Sequence, residues 1–459
     1  MIGKVGEEMI NDLVNQKRIR LIWTLAWPLM MSQILQTLLQ MVDMWFISNL
    51  GITEAIAATG YSTSTLGVII MFSQLIAAGG IALISRKTGE GDEQGTFVIT
   101  EQALFLAFCI GTIITILGYF FSQEILYLFG MEKAVEGYAL TYFRIVLIGV
   151  PFTFFNLTGR AILQATGDSK GPMMIFIIMN IINIILDPIL IYGLHTFDGL
   201  GFKGAAVATA ISNIVAFILM FLTIAKKVFD GNIHKMIRNF RISFKTIGRI
   251  IKIGFFSAIQ AISRPITGLA MFTIAGYSGT KAVAAFTIGG RMFNLVFIFL
   301  TGLNMAISVL VGQNLGKKDF KEAEEVVKDG IKLAALNMVV FAVAYFLLPK
   351  FIMLAFIRND MEVVQIGMNY LRITYLGLMF VVFPIVYGGA FIGAGNTAPP
   401  MVASLVANWG FKLPFALIFS QVLGWGANGV WIAISGSVIV EAGIIAWWFK
   451  RGKWKHKRV

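Results

Sequence analysis

Two carboxylates sit within long apolar stretches of this chain, and they are the residues best placed to do chemistry. Asp43 closes a series with Gln33, Gln36 and Gln40, spaced three or four residues apart. Asn180, Asn183 and Asp187 repeat that spacing in a later apolar stretch. On a helix, each set falls on one face. Thr209, Ser212 and Asn213 add a third polar face. Polar groups inside a membrane are costly and usually face the protein interior. Two carboxylates close together in low dielectric cannot both stay ionised cheaply. One takes up a proton, or a cation binds between them. Amide and hydroxyl oxygens nearby would complete a sodium shell. The plainer alternative is that each acid only caps or pairs near the outer interface. Counted from the cytoplasmic end, Asp43 lies about 33 Å and Asp187 about 24 Å along its helix. Their heights match if the first helix tilts or bends, and Pro28 supplies a place to bend.

The elements that carry these stripes are transmembrane helices. Of 459 residues, 57% are hydrophobic and 13% charged, against about 25% charged in a soluble domain. A span needs about 20 mostly apolar residues. Twelve such segments are expected, from 21–47 to 427–449, in an all-α integral membrane protein. Almost nothing is left for a soluble domain, and residues 1–20 lack the apolar core of a removable signal. The net charge of +13 points to a membrane rather than to nucleic acid, because of where it sits. Lys17, Arg18 and Arg20, then Arg86 and Lys87, then Lys226, Lys227, Lys235, Arg238, Arg241, Lys245 and Arg249 lie on every second side of the chain. So do Lys317, Lys318 and Lys321, and the tail from Lys450 to Arg458. The positive-inside rule then predicts a multi-pass protein of the cell membrane with both termini cytoplasmic. Cys109 is the sole cysteine, so no intrachain disulfide forms. His195, His234 and His456 are too scattered for a metal site.

The chain repeats itself. Tyr142 recurs as Tyr370, Gly167 as Gly395, Met173 as Met401 and Gly51 as Gly279, all 228 positions apart. Gly89 and Asp92 recur as Gly316 and Asp319 at an offset of 227. The domains expected are a cytoplasmic segment 1–20, a six-helix lobe 21–227, a basic linker 228–248, a second six-helix lobe 249–449 and a basic tail 450–459. Parallel repeats of this kind predict a two-fold axis along the membrane normal, a substrate cavity between halves and alternating access by rocking. The second half has exchanged acids for cations. Arg264 stands at the repeat position of Gln36, and Met271 at that of Asp43. Lys412 follows Asn408 by one turn, and Glu441 is available as a counter-ion. Snorkelling to the interface is the bland alternative for Lys412.

The motifs resemble one family. Leu25-Ala-Trp-Pro28, Val42-Asp43, Leu50-Gly51 and Arg86-Lys-Thr-Gly89 are similar to the start of the multidrug and toxic compound extrusion (MATE) family. So are Gln164-Ala-Thr-Gly167-Asp168 and Val311-Gly-Gln-Asn314-Leu-Gly316. The resemblance runs from about Ile19 to Trp448. It implies two pseudo-symmetric six-helix lobes forming a V-shaped cleft, and export of amphipathic organic cations in exchange for protons or sodium. It resembles most the branch related to DNA-damage-inducible protein F. Carried over by position, that branch implies a coupling site of Asp43, Asn183, Asp187 and Thr209, holding a proton or sodium. Gln36 and Tyr142 would stand nearby, and Pro28 would bend with protonation. From the polar stripes themselves, Gln40 and Asn180 are expected beside that site, and Arg264 is expected to hold an anionic or polar part of the cargo. No cofactor, no nucleic acid and no enzymatic activity are expected. The partners are the lipid bilayer and small organic cations, and a monomer is expected. The alternative is a flippase for lipid-linked precursors of the same superfamily, for which Arg264 and Lys412 would suit a pyrophosphate. A lipid-phosphate transferase would need a carboxylate cluster at a membrane face, and none is evident.

Overall fold

A computed structural model describes residues 2–195, 198–229, 231, 240–358 and 360–457, with no account of the side chains of 2–15. His234, Lys235, Arg238 and Arg458 lie outside the described residues. Helices dominate, because a backbone in hydrocarbon must satisfy its own N–H and C=O groups. Among the described residues, nine helical stretches are long and apolar enough to cross a membrane, and the bent pair Lys133–Ile148 and Val150–Ala165 makes a tenth. The long helices α1 (Ile2–Ser48) and Phe244–Gly276 stand where spans one and seven are expected. The twelve expected segments are therefore all helical.

In chain order the first half holds α1, α2 (Thr53–Met71), α3 (Ser73–Glu90), α4 (Glu93–Phe120), α5 (Ser122–Leu128), α6 (Glu136–Ile148), α7 (Val150–Ala165), α8 (Lys170–Tyr192) and α9 (Phe202–Val228). The second holds α10 (Phe244–Gly276), α11 (Thr280–Gly316), α12 (Phe320–Leu347), α13 (Pro349–Phe356), α14 (Met361–Leu378), α15 (Val382–Gly393), α16 (Ala398–Leu405), α17 (Leu413–Leu417) and α18 (Gly426–Lys450).

The repeat read in the sequence has local physical causes. Asp92 and Asp319 are both N-caps, accepting from Gly95 N at 2.8 Å and from Glu322 N at 2.9 Å. Each satisfies an otherwise orphaned N–H at a helix start. Lys87 Nζ, 2.7 Å from Asp92, holds that carboxyl below the usual carboxylate range, helped by the Gly95 N–H. The paired turns at Gly51 and Gly279 have φ of 68° and 99°, and those at Gly167 and Gly395 have 98° and 68°. Only glycine takes that backbone region freely.

The chain forms two compact units, Pro28–Gly254 and Met1–Trp27 with Phe255–Val459. Their boundaries fall inside α1 and α10, not in the linker. Within Pro28–Gly254, α8 packs along α9, and α7 lies against α3 and α4. The start of α10 belongs here because Gly254 lets it approach α3 closely. A Cβ on Gly254 would fall 1.5 Å from the Leu75 carbonyl oxygen. Gln102 of α4 also grips the segment before α10, donating to Arg241 O at 3.0 Å and accepting from Ser243 N at 2.9 Å. In the other unit, the start of α1 is held through Arg18. Its Nε lies 3.0 Å from Oδ2 of the buried Asp329, and its terminal nitrogen 3.4 Å from Glu322. Gln102 and Asp329 are 227 positions apart, the offset relating Asp92 to Asp319. One repeat position thus anchors an incoming helix in both units, with an amide in one and a charge in the other.

Candidate cation-binding site

Within Pro28–Gly254, three helices bring Asp43, Asn183, Asp187 and Thr209 together. Asp187 is fully buried, and neither of its carboxyl oxygens meets an N–H or O–H group among the described residues. It lies instead within hydrogen-bonding range of the half-buried Asp43 carboxyl. Asn183, 1% exposed, is best satisfied with its amide nitrogen donating to Asp43 Oδ1 at 2.9 Å. Its oxygen then accepts from the Thr209 backbone N–H at 3.3 Å. The Thr209 hydroxyl donates back to Ala205 O at 3.0 Å.

The helices are pinned around this cluster. Tyr192 Oη donates to Phe46 O at 2.8 Å, one turn beyond both acids, fixing the end of α8 to the end of α1. Gly204 admits α9 against α8, since a Cβ there would sit 2.3 Å from Leu190 O. Pro188, immediately after Asp187, withdraws one backbone donor from the α8 ladder. Tyr142 is buried and stacks on Phe202 with ring centres 5.2 Å apart. It lies within electrostatic reach of both acids.

The rest of the expected set is placed less tightly. Asn180 is buried, and neither amide atom has a hydrogen-bond partner among the described residues. Gln36 is half-buried and Gln40 exposed on α1. Arg264 belongs to the other unit. Two contributors were not singled out from sequence. Thr153 Oγ1 donates to Asn213 Oδ1 at 3.1 Å, and Asn156 Nδ2 donates to Asn213 O at 3.0 Å. Asn213 in turn donates to Thr209 O at 2.9 Å, so α7 braces the site through α9. The available signal was Asn156, an amide deep in an apolar span.

The donor set suits a small cation. A dry carboxylate with no donor is costly, and a proton shared with the neighbouring acid or a bound cation removes that cost. No group of three or more His, Cys, Asp or Glu residues able to hold a metal occurs among the described residues.

A family model described as MatE matches the chain twice, over residues 28–189 and 257–418. The chain belongs to the MATE family. Its relatives include a probable multidrug resistance protein YoeA of Bacillus subtilis (strain 168), 26% identical over 94% of this chain and 93% of that protein. Another is a probable multidrug resistance protein NorM of Thermotoga maritima, 28% identical over 95% and 93%. A solved structure of MATE in the straight conformation superposes with a TM-score of 0.85 at 26% identity, covering 96% of this chain and 97% of that one. This is therefore a multi-pass membrane transporter with the all-α fold of the family.

The two matched copies of this MATE chain are chemically unequal. From the second, Arg264 of α10 reaches Glu441 of α18, beyond the matched residues, at 3.3 Å. Lys412 lies within electrostatic reach of both and donates to Asn408 Oδ1. Asn408 is itself tied to Ser404 O at 2.8 Å. Residues Val406–Lys412 and Ile418–Val422 form π-helical turns, which widen the helix around the lysine.

Proposed function

We propose that this MATE transporter exports amphipathic organic compounds, mostly cationic, in exchange for protons taken up at Asp43 and Asp187. The observation that carries the reading is the buried Asp187 carboxyl, which lies within hydrogen-bonding range of the Asp43 carboxyl and meets no N–H or O–H among the described residues. A proton on Asp187 donates to Asp43, which also accepts from Asn183. Both acids are then satisfied. Removing the proton leaves two close charges in low dielectric, which the site cannot hold without rearranging. Antiport follows if the protonated and deprotonated sites favour different conformations, since a ligand that binds both states equally shifts nothing. Asn183 and Thr209 complete the site, and Tyr142, Asn180, Gln36 and Gln40 border it. Pro28 is the point where α1 adjusts. The acids stand in the first copy, which supports placing the chain beside the branch related to DNA-damage-inducible protein F. The protein acts as a monomer, and its basic loops argue for both termini in the cytoplasm.

Sodium is the second occupant that the carboxylate, amide and hydroxyl oxygens suit. The test is reconstitution in liposomes with ethidium as cargo, imposing a proton gradient and a sodium gradient separately. Proton-driven movement that Asp187→Asn abolishes is the expected result, and movement driven by sodium alone would transfer the coupling role to that ion. Active, folded protein that moves ethidium under neither gradient would sink the antiporter reading. Lipid-linked precursors, the flippase cargo, would then be tested next. That alternative rests on Arg264 and Lys412, one of which already has a counter-ion.

A further inference from the structure

We infer that Arg264, Lys412 and Glu441 form a recognition site for an anionic oxygen group, a carboxylate or phosphate, on the transported compound. The inference rests on the transporter reading and names a cargo feature within it. Three observations point the same way.

The first is depth. Arg264, Lys412 and Glu441 each lie at least nine residues from the nearer end of their helical stretch. At 1.5 Å per residue that is at least about 13 Å, in a hydrocarbon core about 30 Å thick. Neither cation reaches the interface by snorkelling from there. Charges so deep face a bundle interior or a water-filled cavity and mark substrate pathways.

The second is imbalance. Two cations share one carboxylate. Glu441 is 8% exposed and spends one oxygen on Arg264 at 3.3 Å. Lys412 has an amide oxygen of Asn408 as its direct partner, which supplies a dipole and no charge. The Arg264 side chain is 42% exposed and makes this one ion pair among the described residues. A guanidinium presents five donors in a planar fork, so most of that fork is open. A side chain this exposed and charged opens to water, because lipid would not accept it. The site therefore carries a surplus positive charge and unused donors in the geometry that matches a carboxylate or phosphate.

The third is construction. The Lys412 backbone is π-helical, a local widening that recurs at functional sites. Trp409 Nε1 donates to Ser263 Oγ at 2.7 Å, locking the π-turn to α10 one residue before Arg264. Phe411 and Phe415 stack 4.3 Å apart beside it, and Gly436 makes room for Phe411, since a Cβ there would meet the ring at 2.8 Å. A purely structural ion pair would need one cation for Glu441 and no widened turn to present a second.

Cargo bearing both an apolar body and an anionic group is the class this site selects. The probes are ciprofloxacin, which carries a carboxylate and an ammonium, and its methyl ester, which has lost the anion. Binding is read by fluorescence on the purified full-length protein, and transport in liposomes. Wild type should bind ciprofloxacin more tightly than the ester. Arg264→Gln and Lys412→Met should each weaken ciprofloxacin binding about tenfold, equivalent to about 1.4 kcal/mol, and leave the ester unchanged. Arg264→Lys, which keeps the charge, should recover part of the loss. Glu441→Gln separates the inference from a structural role. It removes the competing anion, so ciprofloxacin should bind several-fold tighter, whereas a merely structural pair predicts loss for both probes. Farnesyl pyrophosphate as competitor distinguishes a lipid phosphate from a free carboxylate as the source of the anion. Equal effects of every variant on acid and ester, or none, would overturn the site. If wild type binds the acid through Arg264 but moves neither probe under any gradient, the site stands and the antiport reading falls.

Discussion

At the residue scale, the decisive feature is the Asp187 carboxyl, which meets no donor among the described residues. Most buried polar groups in folded proteins are hydrogen-bonded, and the two side chains of α8 that lack a partner among the described residues, Asp187 and Asn180, lie on one face of it. Asp187→Asn should abolish gradient-driven ethidium efflux while ethidium binding persists, as measured by counterflow and by equilibrium binding. Asn183→Ala removes the donor to Asp43 and should lower efflux more modestly, in keeping with about 1.5–3 kcal/mol for a hydrogen bond to a charged group. Both acids and Asn183 were legible because a polar stripe at helical spacing stands out in an apolar run. Thr153 and Asn156 were not, because their partner Asn213 lies on another helix and no periodicity links them. The orientation of the Asn183 amide, which decides which acid receives its N–H, is a matter of three-dimensional neighbours alone.

At the scale of elements, α1 and α10 carry the burden. Ser32 donates its hydroxyl to Pro28 O at 2.8 Å, and Pro28 offers no N–H to the turn before it. Pro28→Ala restores that ladder bond. It should leave ethidium affinity nearly unchanged and slow turnover about tenfold, corresponding to about 1.4 kcal/mol in the barrier. Transport rates beside binding curves would show this, and parallel losses in both would contradict a hinge role. Gly254→Leu drives a side chain into the α3 backbone at Leu75 and should cost about 3 kcal/mol or more, read as a fall in the thermal unfolding midpoint. Asp92→Ala should cost about 1 kcal/mol through its cap. Because the folded carboxyl titrates below its unfolded range, that contribution is present at neutral pH and is lost as pH falls through the depressed value. The sequence marked Gly51, Gly279, Asp92 and Asp319 by repetition. The structure supplies the reason, which is turn geometry and capping.

At the scale of the molecule, two copies of one six-helix plan have diverged in charge. Hydropathy predicted twelve spans and the described helices match them, because a bilayer leaves few alternatives to a helix of that length. The unit boundaries were not legible. They depend on Gly254 packing against Leu75 and on Arg18 meeting Asp329, contacts remote in sequence. Arg18→Ala leaves Asp329 with Lys332, at 2.9 Å, as its one ion-pair partner among the described residues and should destabilise by about 3 kcal/mol. Arg18→Ala combined with Asp329→Ala should recover much of that loss, in a double-mutant unfolding cycle. Fusions at either terminus test the orientation that the basic loops predict. A fluorescent protein should glow and an alkaline phosphatase should stay inactive.

The central claim is that cargo and coupling ion compete through the Asp43 and Asp187 pair. The most direct measurement is the proton count on cargo binding. Purified protein in weakly buffered detergent solution is mixed with ethidium while a pH indicator is followed. Wild type should release up to about one proton per ethidium bound, Asp187→Asn none, and added sodium should not change the count. Ethidium binding with no proton released from wild type, over the whole pH range in which it transports, would contradict the claim.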